Sequence, residues 1–265
     1  MIFQLSGLPS IKNCTSLKNI QVNKSKYKVS QFNELIETEY LHPLIKGVDI
    51  TPFHVEESDY IVPFPYDKNN TRVPIPSAEL AKKAPKLTTF YQKFKDLILA
   101  QTSYNERIIG KKGEFYALAR VGAYSFAENY VVFRDNTKWG AAVVTKVQTS
   151  WGGLKRPLFQ NHAVSICEDI FGNFITYDEA HFICGILNTP VVCDYMLSSS
   201  DARSFPIRPR VYIPKYNKEN TIHNMISDLS KEAHQYYNNL ELLERIKTNL
   251  NSLYLKLVKE DRNNL

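Results

Sequence analysis

Residues 111–144, KKGEFYALARVGAYSFAENYVVFRDNTKWGAAVV, constrain the fold more than any other part of the chain. Two β-rich, aromatic-laden runs, 114–120 and 127–134, are joined through Gly122 and lead by a polar turn, 134–138, into a small-residue strand at Ala141–Val144. Such runs, punctuated by turn residues, predict an antiparallel meander. Lys111, Lys112, Arg120, Arg134 and Lys138 fall at the strand edges beside Tyr116, Tyr124, Tyr130 and Trp139. That mixture suits a surface that holds phosphates and approaches bases. An ordinary meander with solvated loop charges produces the same string, so the rest of the chain has to separate the two readings.

Composition bounds the choice. Of 265 residues, 43% are hydrophobic and 12% aromatic, more than a chain without a core carries, and the length suits one large or two small domains. A net charge of +6 and a pI near 8.9 favour an anionic partner without requiring one. Cys14, Cys167, Cys184 and Cys193 show no paired spacing and read as reduced, intracellular thiols. His181, Cys184 and Cys193 make only an incomplete zinc set, and the simpler reading places them on an apolar helix and its sequel. The first residues lack the basic and apolar regions of a signal peptide, and no run reaches the ~20 apolar residues of a membrane span. A soluble, cytoplasmic protein is expected, with no membrane partner.

In chain order, residues 19–30 alternate as an exposed strand carrying Lys24, Lys26 and Lys28, and 34–40 form a short helical candidate ending before His42-Pro43. In 44–50, LIKGVDI, a glycine inside an apolar run predicts a turn or a close backbone approach at Gly47, with Lys46 presented beside it. A strand at 60–64 is closed by Pro63 and Pro65 and followed by a polar turn at 67–70. Between 77 and 101, Leu87, Phe90, Tyr91, Phe94, Leu97 and Ile98 follow helical spacing, and Lys82, Lys83, Lys86, Lys93 and Lys95 either touch phosphate or, the simpler case, form the solvated face. Residues 154–157 read as a basic turn and 161–166 as a strand. In that strand His162 either bonds a partner or, the simpler case, completes a core network. Tyr177–Leu187 is helical, capped by Thr176 or Asp178 and stopped by Asn188-Thr189-Pro190. A polar, basic loop at 198–210 contains Arg203, Arg208 and Arg210, and 211–214 is extended. From 217 onward Ile226, Leu229, Ala233, Tyr236, Leu240, Leu243, Lys247, Leu250, Tyr254 and Leu257 form a heptad seam that needs a partner helix, from this chain or another.

Several ordered segments resemble the C-terminal target-recognition region of restriction-modification adenine methylases, the group of TaqI-type methylases and fused type IIG enzymes. They are Leu44-Ile45-Lys46-Gly47-Val48-Asp49-Ile50, Tyr104-Asn105-Glu106-Arg107, the run from Arg120 to Ala127, and Val131-Val132-Phe133-Arg134. Glu179-Ala180, the run from Gly185 to Pro190, Ile213-Pro214-Lys215-Tyr216 and the run from Ser230 to His234 follow in the same order. The resemblance covers roughly 40–235. It implies a DNA sequence-recognition domain similar to those of type I specificity subunits.

The catalytic apparatus of that family is missing from the sequence. Methylation of an exocyclic amine there needs an Asn/Asp-Pro-Pro-Tyr/Phe loop around a flipped base, and the nearest string, Pro63-Phe64-Pro65-Tyr66, lacks the amide and the adjacent prolines. No glycine-rich strand-to-helix turn suits S-adenosylmethionine, which is expected only on a separate methylase domain. No Asp/Glu-x-Lys triplet suits a metal-dependent nuclease. The nucleophile elbow, the P-loop and the G-x-G-x-x-G turn are likewise absent, and Ser198, Ser199 and Ser200 beside Asp201 read as a loop.

The expectation is therefore an α+β, mainly antiparallel, β-rich DNA target-recognition domain over 1–215, recognisable from about 40, with flanking helices and a C-terminal helical segment over 216–265. It would read double-stranded DNA for an adenine-specific methyltransferase, or methyltransferase-nuclease, supplied in cis or in trans. No catalytic, metal or cofactor residues are assigned. Lys46, Lys111, Lys112, Lys155 and Arg156 are expected at phosphates, and Arg107, Arg120, Asn136, Lys138, Asn161, His162 and Arg203 near base edges. Two alternatives stand beside this: an assembly subunit or inhibitor acting through the C-terminal helix, and an enzyme with an unrecognised site.

Overall fold

The computed structural model describes residues 1–21, 29–100, 113–135, 138–160, 162–198 and 210–263. The strands run, in chain order, β1 (Phe3–Leu5), β2 (Cys14–Asn19), β3 (Asn33–Glu37), β4 (Leu41–Ile45), β5 (Ile50–Thr51), β6 (His54–Val55), β7 (Ile61–Pro63), β8 (Tyr130–Arg134), β9 (Ala141–Val144), β10 (Val147–Thr149), β11 (Gly153–Lys155), β12 (Leu158–Phe159) and β13 (Ala163–Ile166). The helices are α1 (Ser77–Lys83), α2 (Pro85–Lys93), α3 (Lys95–Ala100), α4 (Tyr177–Leu187), α5 (Pro190–Ser198), α6 (Thr221–Gln235) and α7 (Leu240–Asn263). The fold is α+β with antiparallel ladders. The chain crosses repeatedly between two compact units, one made of 1–44, 59–126 and 146–158, the other of 45–58, 127–145 and 159–265.

The first unit is built on a sheet ordered β12-β4-β7-β1-β2-β3. Alternation along its strands places Phe3, Leu17, Ile36 and Ile61 in one core, where they meet Leu80 of α1 and Leu87, Phe90 and Tyr91 of α2. Each such side chain taken fully from water contributes about 1.5–3 kcal/mol, an upper estimate because the unfolded chain is already partly compact. Residues 34–40 are not the expected helix. The chain from 33 to 37 pairs with β2, Leu17 opposite Glu34 and Thr15 opposite Ile36, and a single 3-10 turn follows at Thr38–Tyr40. The expected single helix over 77–101 is three short ones, because Pro85 has no N–H to continue α1 and instead opens α2 at its first position. The Glu37 carboxylate accepts the Lys86 and Leu87 N–H groups, each at 2.8 Å, and so caps α2 from the sheet.

The first half of the expected central meander does not form either. Residues 114–120 contain no strand; Tyr116 is buried against Tyr91 with its ring stacked at 4.6 Å, its hydroxyl donates to the Ile75 carbonyl, and Glu114 accepts the Ser77 N–H at 2.7 Å. Here the aromatics fill a core instead of lining a sheet. Leu154 and Lys155, expected within a turn, belong to the strand Gly153–Lys155, which pairs with β10. Of the expected strand 19–30, Asn19 ends β2 and 22–28 lie outside the described residues.

The second unit contains the three-stranded sheet β13-β8-β9 and the hairpin β5–β6. The Phe53 N–H donates to the Ala141 carbonyl. Its core combines Val131, Phe133, Trp139 and Ala141 with α4, α6 and α7. α4 starts where the sequence indicates, the Thr176 hydroxyl accepting the Glu179 N–H, and ends at Asn188. Asn188 then bonds both backbone groups of Ala141, accepting its N–H at 3.0 Å and donating to its carbonyl at 2.7 Å. The C-terminal seam is interrupted: α6 ends at Gln235, α7 begins at Leu240, and Leu240 is exposed while Leu243, Ile246, Leu250, Tyr254 and Leu257 are buried. Its partner helices come from this chain. Among the described residues no single helix is long and apolar enough to cross a membrane.

Candidate nucleic-acid interface

Charge separates with the two units. The segments of the first hold 19 Lys and Arg against 9 Asp and Glu, a net of +10, of which the described residues carry 13 against 8, a net of +5; those of the second hold 14 against 18, a net of −4, with 12 against 17, a net of −5, among the described residues. The modest +6 of the whole chain therefore hides a strongly basic half.

Within that half, several described cations stand near one end of the sheet, at the β1–β2 loop and the turn after β3. Cys14 at the start of β2 lies among Glu37 and Lys86; burial and Glu37 push its thiol up and Lys86 opposes them. The Thr38 N–H donates to the Asn13 carbonyl, which ties the β1–β2 loop and its Lys12 to the turn after β3. Lys155 reaches the same turn, its ammonium donating to the carbonyls of Thr38 at 2.7 Å and Glu39 at 3.4 Å. Burial holds the Lys155 pKa below the ordinary lysine range. Lys83 pairs with Glu79 at 2.6 Å, while Lys82 and Lys86, at the junction of α1 and α2, are exposed. Lys93 lies toward the other end of β3, paired with Glu34 and 5.3 Å from the centre of the Phe32 ring. The inward Leu80, Leu87 and Phe90 force these lysines outward, because both helices bury one stripe only.

The residues expected from sequence divide between the units. In the first unit, Arg120 is exposed with a left-handed backbone, φ +54. Lys155 and Arg156 are half-buried and engaged within the fold; Arg156 donates to the Ser125 carbonyl at 3.0 Å, and its guanidinium lies 4.8 Å from the centre of the Phe126 ring. In the second unit, Lys46 is half-buried, its N–H donating to Asp49 at 2.7 Å, and Lys138 is exposed. His162 is not in a core network: its ring is exposed and bonds Asp135 at 2.9 Å through Nδ1. Gly47 does make the close approach read from the sequence, since a Cβ there would lie 2.4 Å from the His162 carbonyl oxygen. Lys46, Gly47 and His162 thus share one corner of the second unit. Arg107, Lys111, Lys112, Asn136, Asn161 and Arg203 lie outside the described residues.

Lys12 was not singled out by the sequence, and Lys82 and Lys86 were weighed there as phosphate contacts but read as a solvated face; summing charge over residues that fold together is the signal that separates them. Metal chemistry gains no site, as no group of three His, Cys, Asp or Glu is placed for an ion among the described residues. Burial pushes Cys184 up to about 12 and Cys193 up to about 11, which keeps both as thiols. No family model matches the chain, and no curated protein matches it.

Proposed function

We propose that this chain is a double-stranded DNA recognition module of a restriction-modification system, directing an adenine-specific methyltransferase whose catalytic part lies outside these residues. The observation that carries the DNA reading is the basic balance of the first unit, +10 over its segments and +5 among the described residues, with Lys12, Lys82 and Lys86 at one end of its sheet. A polyanion gains from such a surface by releasing counterions, whichever sequence it has. The adenine and restriction part rests on the ordered sequence resemblance, and a cytoplasmic location on the unpaired spacing of the four cysteines. Sequence reading is assigned to side chains that reach base edges, with Arg120 the described candidate on the basic unit.

The second unit is assigned to a protein contact, the catalytic partner. Its net charge repels DNA, and it exposes Ile170 at 92% and Phe171 at 77% in a turn held by Asp169, which accepts the Phe171 and Asn173 N–H groups. Lys215 fixes the same carboxylate at 2.9 Å.

The test is binding of the whole chain to duplex DNA by fluorescence anisotropy at several salt concentrations. Log K should fall against log salt by about 0.9 per neutralised phosphate, and Lys82→Glu with Lys86→Glu should weaken all duplexes alike and flatten that slope by about 2. Absence of binding at low salt, or a slope unchanged in the double variant, refutes the assignment.

A further inference from the structure

The β1–β2 loop, residues 6–13 with sequence SGLPSIKN, gives the basic unit an apolar tip. Its polar groups are used within the hairpin. Ser6 Oγ lies 2.6 Å from Ser16 Oγ, the Leu8 N–H donates to Ser6 Oγ at 3.0 Å, and the Ser16 N–H donates to Ser10 Oγ at 3.1 Å. The Cys14 N–H donates to the Ile11 carbonyl at 2.9 Å. Two left-handed corners, Gly7 at φ +77 and Asn13 at φ +64, set the path between these bonds. Two aliphatic side chains stand exposed on this loop, Leu8 at 55% and Ile11 at 52%, with Leu5 at 41% behind them, beside the exposed Pro9, Ser10, Lys12 and Asn13. A loop tied down in this way presents those groups without further ordering.

Lys12 follows Ile11 directly, and Lys86 stands near Cys14 at the loop's base. Apolar groups flanked by cations on a unit of net +10 match a duplex, in which phosphates border stacked bases, better than a protein cleft that would have to neutralise that charge. We propose that the 6–13 loop is a wedge: Lys12 and Lys86 hold phosphates while Leu8 and Ile11 enter between base pairs from the minor groove and unstack a step. Pyrimidine–purine steps, the easiest to unstack, are its preferred sites. The inference rests on the DNA-binding reading above.

The experiment uses the whole chain and short mixed-sequence duplexes carrying 2-aminopurine at TA or CA steps, with binding followed separately by anisotropy. Binding should raise 2-aminopurine fluorescence, and Leu8→Ala with Ile11→Ala should lose that rise while still binding. Both side chains are exposed, so circular dichroism should show the fold retained; Leu8→Ser with Ile11→Ser is the second variant. A chain that binds with no rise, or variants that keep the rise, overturns the wedge and leaves the DNA reading standing. A chain that binds no duplex overturns both. If the variants lose self-association in sedimentation and leave the rise intact, the tip is a protein contact and the wedge is again overturned.

Discussion

Acidification from pH 7 to pH 5 should weaken the second unit by about 4 kcal/mol through two buried histidines. His234 Nδ1 donates to the Ser230 carbonyl at 2.7 Å, so its Nε2 carries no proton and accepts the Val143 N–H at 2.8 Å. His181 is buried against it, ring centres 4.7 Å apart, with Nδ1 3.2 Å from Ser230 Oγ. Burial first, then the charge each ring would impose on its neighbours, pushes His181 down to about 3; burial pushes His234 down to about 4. Both folded values lie below the ordinary 6.5, so the unfolded chain binds more protons between them. This stability is complete above pH 6.5 and is lost as pH falls toward 4. At pH 5 each neutral ring forgoes protonation worth about 2 kcal/mol, a large part of a typical total of about 5–15 kcal/mol. The chain has two tryptophans, Trp139 in the second unit and Trp151 in the first, so urea unfolding of Trp151→Phe reports on the second unit alone. His181→Phe should remove about 2 kcal/mol of the pH effect. A change below about 1 kcal/mol between the two pH values would refute the buried, neutral pair.

Three further outcomes follow from the second unit's packing, read by the same fluorescence. Asn188→Ala removes the acceptor of the buried Ala141 N–H, while the Ala141 carbonyl keeps the Phe53 N–H, and should cost about 1–3 kcal/mol; a cost under about 0.5 would mean the lost bond is replaced. Leu250→Ala, at a fully buried position, should cost about 2–5 kcal/mol, and a neutral result would place the C-terminal helix outside the core. Gly47→Ala drives a methyl into the His162 carbonyl and should cost about 1–3 kcal/mol, whereas unchanged stability would show that the corner relaxes freely.

Short-range features were legible from residue order. The Thr176 cap, the apolar run to Leu187 and the stop before Pro190 act within a few residues, and the structure keeps them. The strand at Ala141–Val144 and the constraint at Gly47 were legible for the same reason. Residues 34–40 and 114–120 were misread because their state depends on distant partners. The first becomes a strand by pairing with β2; the second becomes a core filler because Tyr91 and Ile75 receive Tyr116.

The sequence by itself determined that this is a basic, aromatic-rich α+β chain whose apolar stripes need burying, since composition and periodicity are properties of the string. Only the tertiary structure decided which charges act together. Each unit is assembled from three separated segments, so the +10 and −4 cannot be seen in any window of the sequence. The same holds for individual lysines: Lys155 is taken up by the Thr38 carbonyl, 117 residues away, while Lys86 is left at the surface because Leu87 beside it is buried. A cation's role follows from the free energy of its surroundings, and folding brings those surroundings from elsewhere in the chain.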